Sequence, residues 1–88
     1  MPTLHLVNKA IALPACLKVA DDHDAVLLLE DGVYAAVANL APDRPLNALA
    51  PDVAARGLTD RLAPQVQVVT DAQFVALVER HQPVVTWR

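Results

Sequence analysis

The chain has 88 residues, 55% of them apolar and 19% charged, with a formal net charge of −3 and a mean hydropathy of +0.32. Aromatic residues make up 3% and there is no basic excess, so neither a cationic groove nor a stacking platform for nucleic acid is expected. No unbroken apolar stretch approaches the roughly 20 residues that span a bilayer, which excludes a membrane-spanning helix.

A chain of this length supports one domain, residues 1–88. It buries only about 60–65% of the surface its unfolded form exposes, which leaves an apolar excess that a small monomer does not hide. Association with another subunit is therefore expected. No basic region followed by an apolar core opens the chain, so no secretion signal is expected. A single cysteine makes no internal disulfide, which fits a reducing cytoplasm.

In chain order, short apolar runs alternate with helical patterns. Thr3 to Val7 reads as a strand, and Pro14 to Ala20 as a helix with proline in its first turn, where the missing N–H costs nothing. "DDHD", residues 21–24, is a polar turn. Ala25 to Leu29 is apolar throughout, as in a strand buried on both faces, and Val33 to Leu40 reads as a second helix that "APDRP", 41–45, breaks. Asn47 to Ala50 is a short third strand. "PDVAARGL", 51–58, puts proline and aspartate at a helix start and Gly57 at its end. Val66 to Val69 is a fourth strand. Thr70 caps a helix from Asp71 to His81, and Pro83 precedes a terminal strand, Val84 to Trp87.

The order βαβαβαβαβ with short links predicts a small Rossmann-like α/β/α domain, its sheet mainly parallel and about five strands wide. In such sheets ligands meet the loops beyond the carboxyl ends of the strands. Here those are residues 8–13, 30–32, 51–52 and 70–71, so Glu30, Asp31 and Gly32 fall on that edge.

Few residues carry chemistry. Cys16 falls in the first turn of the first helix, where the helix N-terminus would favour a thiolate, but a free cysteine is also an ordinary small core residue. Glu30 and Asp31 suit an acid–base pair or, more simply, a strand-end turn in which Asp31 caps the next helix and Gly32 makes the bend. His5, within the first strand, is expected to hydrogen-bond at an interface. No spacing among His5, His23, His81 and Cys16 suits a metal, and two glycines make no phosphate loop, so no metal and no cofactor are expected.

Five segments together resemble one family. "LHLVNKA" (4–10), "AVLLLEDGVYAA" (25–36), "LAPDVAARGL" (49–58), "VQVVTDAQFVALV" (66–78) and a terminal "TW" are similar, in order and over most of the chain, to the TusB/DsrH family. The resemblance implies a DsrEFH-like fold and a non-catalytic, scaffold-type subunit of a cytoplasmic sulfur-relay complex. The implied partners are TusC/DsrF-like and TusD/DsrE-like subunits in a heterohexamer, with a downstream acceptor of TusE/DsrC type. Sulfur would end in 2-thiouridine at tRNA wobble positions or, alternatively, belong to dissimilatory sulfur oxidation. The principal sulfur-carrying cysteine would lie in the DsrE-like partner. Cys16 matches a cysteine of DsrH-like members, which implies an accessory sulfur acceptor, or a carrier in its own right. The segment between Lys9 and Cys16 is about a helical turn shorter than in the family, and "AI" stands where "SP" is usual. The isolated chain is not expected to stay a soluble monomer, a homo-oligomer being one outcome and the sequence leaving its state open.

Overall fold

The computed structural model describes residues 2–38 and 43–88. Strands β1 (Leu4–Lys9), β2 (Ala25–Asp31), β3 (Leu46–Leu49), β4 (Val66–Val69) and β5 (Val84–Trp87) form one sheet in the order β4-β3-β2-β1-β5. Every pairing is parallel. The connections contain helices α1 (Leu13–Val19), α2 (Ala50–Ala55) and α3 (Asp71–Arg80), with 3₁₀ turns at Ala10–Ala12, Gly32–Ala36 and Thr59–Arg61. The expected small Rossmann-like α/β fold is the one observed.

Period-2 alternation in the strands assigns the two faces. On one face Val7, Val26, Leu28, Leu46 and Ala48 pack with Leu13 and Cys16 of α1, Val33 of the 3₁₀ turn and Val53 of α2. On the other, Leu4, Leu27, Leu49 and Val69 meet Phe74 and Leu77 of α3. The chain winds outward from β1 to β4, and α3 then returns it over the opposite face so that β5 joins the free edge of β1. The direction of winding thus reverses between β1 and β5.

Local chemistry accounts for the helix ends. Thr70 and Gln73 form a reciprocal capping box at the start of α3. At the end of α2, Gly57 takes φ +66°, its N–H donates to Ala54, and the Leu58 N–H donates to Val53. That is the paired bonding of a Schellman motif, completed by burial of Leu58 beside Val53.

Of the α-helix expected from Val33 to Leu40, the described part is not α-helical. Gly32–Ala36 is a 3₁₀ turn, and residues 39–42 lie outside the described residues, as does part of the "APDRP" break. The hydrogen bonding agrees. Val37 N–H bonds back to Tyr34 in the i→i+3 pattern of a 3₁₀ turn, and the Ala36 carbonyl accepts from the Ala63 N–H at 2.8 Å.

Candidate functional site

At the carboxyl ends of the strands, the "EDG" joint is an irregular strand end. Val7 pairs with Leu28 but Lys9 pairs with Asp31, so β2 carries one extra residue and the register shifts. Glu30 absorbs it in a left-handed conformation, φ 51°, and its N–H donates to the Asp52 carboxylate at 2.7 Å. Gly32 is required for a different reason from the bend expected of it. A Cβ there would fall on the Val7 backbone carbonyl.

The expected capping role of Asp31 is also corrected. Its side chain makes no cap hydrogen bond. It accepts instead from Nε and Nη2 of Arg56, at 3.1 and 2.9 Å, and Arg56 lies 5.9 Å from the centre of the Tyr34 ring. Its hydrogen bonds to the Asp31 carboxylate hold the Arg56 guanidinium above its ordinary pKa. Glu30, Asp31 and Gly32 thus shape a turn, with Asp31 largely exposed and paired.

Cys16 does not sit at a helix N-terminus. It is the fourth residue of α1, and the Ala10–Ala12 3₁₀ turn precedes that helix without a break. Its side chain is wholly buried among Val7, Leu13, Val26 and their neighbours. Burial pushes the thiol up to about 11, against a smaller lowering by Arg44, with Asp24 raising it further. A thiol so placed is neutral and shielded at neutral pH.

The most organised polar cluster lies elsewhere. His5, one of the buried polar residues, points to the α1 face of β1 near the amino end of the sheet. Trp87 Nε1–H donates to His5 Nδ1 at 3.0 Å, and His5 Nε2 lies 2.9 Å from Asp24 Oδ2. Asp24 also accepts from the Thr3 and Asp21 N–H groups at 2.9 and 3.0 Å. The Asp21 N–H, then His5 and the Thr3 N–H, hold its carboxyl down to about 2. Arg44 ties down the same loop by donating to the carbonyls of Asp21 and Asp24. Val19, Val85, Trp87 and these polar groups line a groove of about 690 Å³.

The hydrogen bonds of His5 are therefore internal to the chain. Asp24 and Trp87 were missed by reasoning from sequence, since "DDHD" reads as a solvated turn and 82 residues separate His5 from Trp87. The available signal was a histidine inside an otherwise apolar strand, which requires partners when buried. Among the described residues, no group of three or more His, Cys, Asp or Glu side chains is arranged to hold a metal, and no helix is long and apolar enough to cross a membrane.

Fold and side chains together define a small parallel α/β protein whose buried histidine is bonded within the chain and whose one thiol is enclosed. The family described as DsrH like protein matches residues 8–84. Protein TusB of Pectobacterium carotovorum subsp. carotovorum is 37% identical over 82 residues, covering 85% of this chain and 86% of that protein. Protein TusB of Sodalis glossinidius is 36% identical over 92 residues, covering 97% of each, and that of Serratia proteamaculans is 37% identical over 82 residues, covering 85% and 86%. The chain belongs to the DsrH-like family.

Proposed function

We propose that this chain is a scaffold-type subunit of a cytoplasmic sulfur-relay complex that serves 2-thiolation of tRNA wobble uridines. The carrying observation is the state of Cys16. A relay cysteine must present a thiolate to an incoming persulfide, whereas this thiol is buried and its pKa raised to about 11. Sulfur is then carried on a TusD/DsrE-like partner, with a TusC/DsrF-like subunit completing the assembly and a TusE/DsrC-type protein accepting the sulfur. The similarity to proteins named TusB favours tRNA thiolation over the sulfur-oxidation branch. Exposed Ile11, Val19, Tyr34 and Val75 supply apolar surface for partners.

The test is complementation of a bacterium lacking its own TusB, with tRNA nucleosides quantified by mass spectrometry and the tagged chain used to recover its partners. The expected result is restored 2-thiouridine and co-purification of two small subunits. Recovery of the partners with no restored 2-thiouridine would move the chain to the sulfur-oxidation branch. Failure to recover any partner would overturn the scaffold assignment.

A further inference from the structure

We propose that Trp87, His5 and Asp24 form a proton-gated latch on β5, in which the indole holds the strand only while His5 Nδ1 is unprotonated. An indole N–H is a donor and has no acceptor role, so the nitrogen it meets at 3.0 Å must be bare. The one imidazole proton then sits on Nε2 and is given to Asp24 Oδ2 at 2.9 Å. The tautomer is set from both sides.

The strand that this line restrains has few other attachments. β5 is an edge strand, paired with β1 alone, and Val84, Val85 and Thr86 are exposed. Trp87 is its one residue packed against the core, opposite Val7 in register. Removing the acceptor for the indole therefore loosens the strand at its main side-chain anchor.

A proton arriving at Nδ1 puts an N–H against the indole N–H, and that hydrogen bond is lost. The Nε2–H bond to Asp24 is kept and becomes an ion pair, so the latch opens on the Trp87 side. No bond other than the hydrogen bond breaks, and the proton comes from solvent through the groove. The other acidic or basic side chains of the groove are those of Asp21 and His23, from the loop before β2. Arg44, from the segment before β3, is engaged with the carbonyls of Asp21 and Asp24. The groove-lining residues of α1 and β5, Val19, Val85 and Trp87, bring no charge, and Cys16 is neutral. The released form binds one proton more than the latched form. The latch is thus favoured at higher pH and lost as pH falls.

Trp87 is the single tryptophan, so its emission reports the latch directly. The full chain is titrated from about pH 8 to about pH 5, the range where histidine ordinarily changes charge, with far-UV circular dichroism recorded in parallel. The expected result is a shift of the emission maximum to longer wavelength while helix content stays constant. His5→Gln should abolish the step, and His23→Gln should retain it. A flat emission profile in the native sequence, or a step that survives in His5→Gln, would overturn the proposal. Nitrogen-15 spectra of the native imidazoles decide the matter even if His5→Gln does not fold. They should show the Nε2-protonated tautomer of His5 at neutral pH and loss of indole N–H protection on acidification. An Nδ1-protonated His5 at neutral pH would contradict it.

Discussion

The two ends of the sheet hold their polar groups in opposite ways. At the carboxyl ends, Asp31 and Arg56 pair at the surface, and the Glu30 N–H rests on the Asp52 carboxylate. At the amino ends, His5 is enclosed, and Asp24 gathers three donors behind it. The carboxyl edge is where an open parallel sheet ordinarily receives ligands, yet its polar residues here brace a bulge and a close backbone contact. The amino edge carries the buried polar network. The contrast shows that the charged groups described at both edges brace the fold, and that the single thiol is buried between them.

The largest expected effect attacks the carboxyl edge where it is packed, not where it is charged. Gly32→Ala places a methyl group on the Val7 backbone carbonyl, which a side-chain rotation does not relieve. Overpacking of this kind costs about 1–3 kcal/mol and more when backbone must move, so a loss of about 3 kcal/mol or greater is expected from urea unfolding. A change below about 1 kcal/mol would show that β1 and the 3₁₀ turn are not in contact.

Asp24→Asn tests the amino edge. It removes the charge that three donors share, and hydrogen bonds to a charged group contribute about 1.5–3 kcal/mol each in favourable settings. The carboxyl is held at about 2 against an ordinary 3.8, so its contribution is fully present above 3.8 and is lost as pH falls through about 2. The variant should be less stable at neutral pH and should lose less of its remaining stability between those two values. Identical acid profiles would mean that Asp24 is not bonded as described.

Asp31→Ala is expected to have the smallest effect of the three. The pair with Arg56 lies at the surface, with the Asp31 side chain 69% exposed, and such pairs are screened by salt. The difference from the native chain should shrink further at about 1 M salt. A large, salt-independent loss would mean that Asp31 does more than position Arg56.

These sites also mark how far the residues spoke for themselves. The five strands and the cap at Thr70 were legible, because apolar runs, a threonine before a helical pattern and proline positions are local signals; its partner Gln73 was not read. The 3₁₀ turn at Gly32–Ala36 was not, because its setting is tertiary: the Ala36 carbonyl accepts from Ala63, a residue far along the chain. Gly32 could be marked as special, but its reason, the Val7 carbonyl, is a tertiary contact, and the positive φ sits on Glu30. Cys16 looked close to a helix start because the Ala10–Ala12 turn carries no sequence signal separating it from α1. The His5 line joins three segments that only the strand order brings together.

Whether Cys16 carries sulfur is read from persulfide loading of the chain. The chain, alone and in its reconstituted complex, is exposed to a persulfide donor under native conditions and read by intact-protein mass spectrometry. Cys16→Ser serves as the control for sulfur-transfer activity. With the thiol buried, no sulfur adduct is expected on this chain until it is unfolded, and sulfur transfer by the complex should be retained in Cys16→Ser. Stoichiometric loading of Cys16 in the folded chain, lost together with transfer in Cys16→Ser, would contradict it and make the chain a carrier.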